Sequence, residues 1–375
     1  MPKLIFLFFC LQGVIVSFNI SACSALVPSI AKDFNISEFI VAKILWLYML
    51  AYGISALFYG PLMRILNMRL MMLISLLFFS LTNLLGGLSK DINSLFILRF
   101  LMGVFGSSVV PLTIIYAGNI FPKDKRGRYI GIFFSFSFFS SLLGLFLSGF
   151  LSWRLIFIIP AIGGFFLYLG IYFYLPKIEM KTRELRIRYL ELINNKHLLS
   201  ILLYIFLISM LYHGIQQWLG VYFSTQIMLN QFLVSMLLTL GSLSGIIGEA
   251  IGGYLSDRIG RLKTINLGVG LMLLCLLFFI FKSNLFFLSI VMFLWGLGWT
   301  FNHSGVSVFL ADLPRDFLNE MASLNSGLRF ISGSLGVSLG GLVMHKSFIL
   351  GFILFGFGLL GLLFLSQKLL VNTWR

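Results

Sequence analysis

The stretch Gly253-Tyr254-Leu255-Ser256-Asp257-Arg258-Ile259-Gly260-Arg261-Leu262-Lys263 decides how the rest of the chain is read. A long apolar run ends where it begins, and another starts where it ends. In hydrocarbon a backbone must satisfy its own hydrogen bonds, and an α-helix of about 20 residues does so while crossing the bilayer. Both runs therefore read as membrane helices, and the loop between them has room only to turn. It carries one acid, Asp257, and three bases, Arg258, Arg261 and Lys263. Gly253 and Gly260 let the two helix ends approach each other.

Composition extends this reading to the whole chain. Of 375 residues, 59% are hydrophobic and 10% charged, and the mean hydropathy is +1.02. These values exclude a soluble globular domain and indicate a polytopic α-helical membrane protein. The net charge of +15 is not a nucleic-acid signal, because the bases lie between apolar runs, where they report orientation. Cys10, Cys23 and Cys275 all lie in apolar runs and read as small buried residues rather than disulfides or metal ligands. The N-terminal run continues to about Val27, past the length of a signal-peptide core, so it reads as the first membrane helix.

Twelve apolar runs can be cut out, at 4–30, 40–63, 69–88, 94–119, 129–150, 154–175, 198–222, 231–255, 264–281, 285–311, 321–344 and 347–367. The longest polar stretch, 176–197, falls after the sixth. The expected organisation is an all-α membrane protein of twelve transmembrane helices, with a first half at 1–175, a cytoplasmic linker at 176–197 and a second half at 198–375. With the N-terminus inside, nineteen of the 27 lysines and arginines fall on the inner side and six on the outer, and Arg99 and Arg329 lie within runs. That bias predicts that both termini are cytoplasmic. An internal repeat supports two similar halves. Gly144-Leu145-Phe146-Leu147-Ser148-Gly149 matches Gly336-Val337-Ser338-Leu339-Gly340-Gly341 at an offset of 192, which Pro122 and Pro314 share. Gly60-Pro61-Leu62 and Gly253-Tyr254-Leu255 share one of 193.

The loop at 253–263 resembles the cytoplasmic signature G-x-L-x-D-R-x-G-R-x-K of the major facilitator superfamily. In the first half, several stretches resemble multidrug and metabolite exporters of that superfamily. They are Pro28-Ser29-Ile30-Ala31-Lys32-Asp33-Phe34, then Trp46 with Ala51-Tyr52, then Arg99-Phe100-Leu101-Met102-Gly103 with Pro111. Phe121-Pro122-Lys123-Asp124-Lys125-Arg126-Gly127-Arg128 and Ser152-Trp153-Arg154-Leu155-Ile156-Phe157 complete the set. The resemblance implies two pseudo-symmetric six-helix halves with a substrate site near mid-membrane. It also has departures. Asn19 stands where the family has a helix-1 aspartate, and Ser141 and Leu145 where its antiporter prolines fall. In the first copy of the signature, Arg64 replaces the acid and Asn67 the second glycine.

Polar residues inside the runs are the candidate site. Arg99 falls on the family's helix-4 arginine, and an arginine at membrane depth usually faces the bundle interior or water. In the seventh run, Tyr212 with Gln216 and His213 with Gln217 are one turn apart and form a stripe. The tenth run carries Trp295, Trp299, Asn302 and His303 at helical spacings. Gln12, Asn19 and Tyr52 add to the set from the first two runs. Amides and aromatics together suit an uncharged or amphipathic small molecule. Interhelical hydrogen bonds that merely hold a bundle together would use some of the same residue types. The phenylalanines at 133, 134, 136, 138 and 139 read as lipid-facing or packing surface. The glycines at 245, 248, 252 and 253 read as sites of close helix contact.

For gating, the resemblance implies that Asp257 meets the start of the fifth helix, near 127–129. Arg64 occupies the equivalent place in the first half, with Glu320 as a candidate partner. The gating set is thus Arg64, Gly253, Asp257, Arg258, Gly260, Arg261, Lys263 and Glu320. For proton coupling the candidates are His213, Glu249 and His303; a histidine titrates nearest to physiological pH, at about 6.5 in isolation. Asp312 adds an acid at the inner end of the tenth run. The sequence shows no nucleotide-binding loop, metal cluster or catalytic triad, so no cofactor or enzymatic activity is expected and a gradient must supply the energy. The expected protein is a monomeric secondary transporter of the bacterial inner membrane. Its partners are a small-molecule substrate, membrane lipid and, as a candidate coupling ion, the proton, with efflux as the preferred direction. The alternatives are an uptake carrier or facilitator without proton coupling, and a transporter-like receptor that moves nothing.

Overall fold

The structure is a computed structural model that describes residues 2–62, 66–176, 194–281, 284–311 and 318–370. Arg64, Asp312 and most of the 176–197 linker therefore lie outside the described residues, as do the side chains of Glu320 and of residues 123–128. Among the described residues, twelve helical spans are long and apolar enough to cross a membrane. In the first half they are α1 (Pro2–Phe34), α2 (Glu38–Tyr59), α3 (Met68–Gly87), α4 (Ile92–Ala117), α5 (Tyr129–Leu147) and α6 (Trp153–Tyr174). In the second they are α7 (Lys196–Thr225), α8 (Gln231–Arg258), α9 (Arg261–Ile280), α10 (Leu285–Ser307), α11 (Leu324–Met344) and α12 (Phe348–Leu370). The chain divides into two compact units, Met1–Ile187 and Arg188–Arg375.

The apolar runs begin where polar side chains cap them. Asn67 accepts from the Leu70 amide at the start of α3, Asp91 from Ser94 at α4, and Asn230 from Leu233 at α8. Each satisfies an amide that has no intrahelical partner. Asn67, a departure from the family's glycine, therefore serves here as a helix cap.

Each unit uses the same pairing scheme. In the first, α1 packs on α5, α2 on α4, and α3 on both α4 and α6; in the second, α7 packs on α11, α8 on α10, and α9 on both α10 and α12. The repeated hexapeptides sit at matching contacts. A Cβ at Gly144 would collide with the Phe18 carbonyl of α1, and one at Gly336 with the Met210 carbonyl of α7. Helices in lipid gain their association from such close approach rather than from hydrophobic burial. Gly248 and Gly252 hold α8 against Thr300 and Ser304 of α10 in the same way, and Gly245 lies against Thr300. Gly253 does not fit that expectation: a Cβ there would meet nothing within 4 Å. Gly260, by contrast, is required by the turn between α8 and α9, where its φ is +96°.

Four spans that read as continuous runs are broken, α2 by a single turn residue at Ala42. α1 opens into turns at residues 18–21, α4 at 107–108 and α7 at 217–218. Pro111 accounts for the break in α4, because its ring meets the carbonyl four residues back, that of Ser107. The phenylalanine cluster of α5 divides by face, with Phe133 buried and Phe136, Phe138 and Phe139 exposed. Exposed Phe166, Phe173, Phe286 and Phe364 give other spans an equally apolar outer surface, as lipid requires. Cys10, Cys23 and Cys275 are buried.

Candidate functional site

The densest group of polar and aromatic side chains lies in the second unit, where α7, α8, α10 and α11 meet. Trp295, Trp299 and His303 recur every fourth residue and line one face of α10. Tyr212 of α7 stacks on Trp299 with ring centroids 3.7 Å apart and planes 9° from parallel, and also stacks on Trp295 at 5.6 Å. His213 meets Trp299 edge-on at 5.7 Å. Gln216 accepts a hydrogen bond from the Trp295 indole at 2.6 Å, which fixes that ring against α7. The two sequence stripes, on α7 and α10, are therefore brought together as one interlocked face.

Around this face lie the titratable groups. His303 Nδ1 lies 2.6 Å from Glu249 Oε1 on α8. The contact is an ion-pair distance without the alignment of a hydrogen bond. The His213 imidazole Nδ1 lies 2.9 Å from the Ser209 carbonyl oxygen, one turn earlier on α7. Asn302 points away from the stack and donates to the Tyr204 hydroxyl at 2.6 Å. Gln217 falls in the break of α7, and its Oε1 is buried without a partner among the described residues.

Arg329 of α11 is the residue that sequence reasoning left out of this group. It is buried, its guanidinium faces the Trp299 ring at 5.6 Å, and its Nε donates to Asn325 Oδ1 at 2.8 Å. Ser209 donates to the Arg329 carbonyl at 2.8 Å, which ties α7 to α11 beneath the cluster. The available signal was the arginine itself, placed inside an apolar run where a charge is costly to keep.

The candidates of the first unit do not form an equivalent cluster. Gln12 donates to Ser75 at 3.3 Å and Asn19 to Asn83, so both join α1 to α3. Arg99 is buried between the rings of Tyr48, at 4.4 Å, and Phe157, at 5.6 Å. It donates to the Ile44 carbonyl at 3.3 Å, and its Nη1 lies 3.7 Å from the Met102 sulfur. Among the described residues no acid pairs with it. Tyr52 lies beside Tyr48, with ring centroids 5.8 Å apart and planes tilted by 40°.

In the loop at 253–263, Asp257 pairs within its own unit with Arg261, at 3.7 Å, and is largely exposed. Arg261 also donates to the Ser256 carbonyl at 3.3 Å, and Arg258 lies over the Tyr254 ring at 5.0 Å. Lys263 is exposed. In the first unit, the stretches at 28–34 and 152–157 meet in space. Arg154 of α6 pairs with Asp33 of α1 at 2.9 Å, and the Trp153 indole donates to the same carboxylate oxygen at 3.1 Å.

Comparison with known proteins agrees with this architecture. Multidrug resistance protein 3 of Bacillus subtilis (strain 168) is 29% identical over 143 residues, 37% of this chain and 28% of that protein. Puromycin resistance protein pur8 of Streptomyces alboniger is 29% identical over 132 residues, 34% of this chain and 26% of that protein. The chain thus matches about a quarter of the length of each of these two relatives. The uncharacterized MFS-type transporter YceJ of Bacillus subtilis (strain 168) is 25% identical over 356 residues, 92% of this chain and 90% of that protein. Among solved structures, a D-xylose-proton symporter superposes with a TM-score of 0.78 at 12% identity, covering 98% of both chains. The nucleoside transporter NupG superposes with a TM-score of 0.71 at 16% identity, covering 96% of this chain and 98% of that one. At such identities the two structures establish the fold alone. The family model of the Major Facilitator Superfamily matches residues 9–341, and the chain is an integral membrane protein that belongs to that superfamily.

Proposed function

We propose that the protein is a secondary transporter that moves a small amphipathic organic molecule by alternating access, with export as its direction. The observation that carries this reading is the stacked pair of Tyr212 and Trp299, backed by the buried Trp295 and edged by Gln216 and His213. Such a face offers a ring-bearing molecule both π surface and hydrogen-bonding groups, without demanding one shape. Export is supported by the two relatives whose names concern drug resistance. The distribution of lysine and arginine supports insertion in a bacterial inner membrane with both termini cytoplasmic. An uptake carrier or facilitator without proton coupling is the second reading. It is favoured by Asn19, which stands at the family's acid position and is engaged by Asn83.

The test is a screen of aromatic amphiphiles for thermal stabilisation of the purified full-length protein, followed by transport in proteoliposomes. A binder raises the apparent melting temperature by mass action. Stabilising compounds should be moved across the bilayer, and Trp299→Ala should lose both effects. A whole panel that shows no stabilisation and no movement would sink the reading. Movement only down a gradient, unaffected by pH, would select the facilitator.

A further inference from the structure

Arg329 keeps hydrogen-bonding capacity that no described residue uses. It is 8% exposed, and its Nε is occupied by Asn325. Nη1 and Nη2 are both buried and have no acceptor among the described residues. The carboxylate within electrostatic reach, that of Glu249, lies against His303 and makes no hydrogen bond to Arg329 among the described residues. Charged donors stranded at membrane depth are costly, and they persist where something polar meets them.

The other buried arginine makes the contrast. Arg99 donates to a carbonyl and lies against a thioether, with an aromatic ring at 4.4 Å and another at 5.6 Å. Arg329 is covered by Trp299 and tied at Nε, so the edge formed by Nη1 and Nη2 is what remains. That edge presents parallel N–H groups whose spacing matches two oxygens of a carboxylate or phosphate. It is also adjacent to the aromatic stack, because Trp299 both faces the guanidinium and carries Tyr212.

We propose that Arg329 anchors an anionic group, a carboxylate or phosphate, of the transported molecule, whose apolar body lies along Tyr212 and Trp299. The proposal rests on the reading of that aromatic face as a substrate contact. It narrows the substrate class from amphipathic molecules in general to amphipathic organic anions. Glu249 and His303, 2.6 Å apart on α8 and α10, are the nearest acid–base pair to this edge among the described residues.

Three indoles with the same ring and different side-chain charge test this: indole-3-acetate, indole-3-acetamide and tryptamine. Binding is measured on the purified full-length protein in phosphatidylcholine nanodiscs, with and without added phosphatidylglycerol. Indole-3-acetate should bind about ten- to a hundredfold more tightly than the other two. Arg329→Gln should abolish that preference, and Arg329→Lys, which keeps the charge but not the fork, should retain part of it. If Arg329→Gln does not fold, a several-fold loss in Arg329→Lys carries the test. Trp299→Ala should weaken all three ligands. Equal binding of acid and amide, or a preference for the acid that survives Arg329→Gln, overturns the anionic anchor and leaves the aromatic face standing. Acid binding that needs Arg329 but ignores Trp299→Ala overturns the aromatic reading instead. No binding of indole-3-acetate at millimolar concentration overturns the proposal. So does stabilisation that needs Arg329 and comes from phosphatidylglycerol alone, which would assign the anion to a lipid head group.

Discussion

His303 Nδ1 and Glu249 Oε1 lie 2.6 Å apart, joining α10 to α8, and each side chain is about a third exposed. A proton gained or lost by this pair changes its net charge by one. Among the described residues, Arg329 of α11 lies within electrostatic reach of Glu249, and Tyr204 and His213 of α7 lie within reach of Arg329. Glu249 is the carboxylate within electrostatic reach of Arg329, so an anion bound there adds a further negative charge beside it. Adding an anion then calls for a proton, so anion binding and proton uptake should be linked. Binding of indole-3-acetate should take up a proton and so vary with pH, and Glu249→Gln should flatten that dependence. In proteoliposomes, Glu249→Gln or His303→Gln should preserve counterflow and abolish accumulation driven by a pH gradient. Wild-type transport indifferent to an imposed pH gradient would show that this pair does not couple.

The stack of Tyr212 on Trp299 should dominate affinity for aromatic substrates. Aromatic pairs are worth about 0.5–1.5 kcal/mol beyond the area they bury. Trp299→Ala should weaken binding about tenfold, whereas Trp299→Phe should keep most of it. A titration that finds the two variants equal would remove stacking as the cause.

Gly144 and Gly336 should tolerate no side chain, because each meets a backbone carbonyl that cannot swing aside. Overpacking of this kind costs about 1–3 kcal/mol. Gly144→Ala and Gly336→Ala should each lower the melting temperature. Gly361→Ala, where a Cβ would meet nothing within 4 Å, is the matched control. The same drop in all three would mean that glycine flexibility, rather than close approach, is what matters.

Arg154 should matter more than its partner Asp33. The ion pair itself is partly exposed, so Asp33→Asn should cost at most about 1 kcal/mol. Arg154 also donates to the carbonyls of Gly87 and Ser89, at 3.1 and 2.8 Å, which close the end of α3. Arg154→Ala should therefore destabilise more than Asp33→Asn, and adding Asp33→Asn to it should change little. Additive losses in that double mutant, measured by thermal unfolding, would count against a shared network.

The spans were legible because hydropathy over some twenty residues leaves few alternatives to a membrane helix. The likeness of the two halves was legible in the repeated glycines, which fall at the same contact within each unit. The breaks were less so. Pro111 announces the one in α4, but no residue type marks the turn at 217–218. At the site, the stripes on α7 and α10 follow from spacing along each helix, so they could be read. The meeting of Glu249 with His303, 54 positions apart, depends on how α8 packs against α10, and spacing along one helix says nothing of that. Arg329 was visible as a charge in an apolar run, but only its neighbours reveal that two of its nitrogens are left over.

The matched pairing of the two units makes their difference in content informative. At the repeat offsets of 193 and 192, Glu249 corresponds to Ala56 and Arg329 to Ser137. All four histidines, His197, His213, His303 and His345, belong to the second unit. The two units thus share one helix pairing, while Glu249, Arg329 and the histidines have no counterpart at the matching positions of the first unit. In such a scaffold the ionisable side chains differ between the units while the glycine contacts that hold each unit together stay the same.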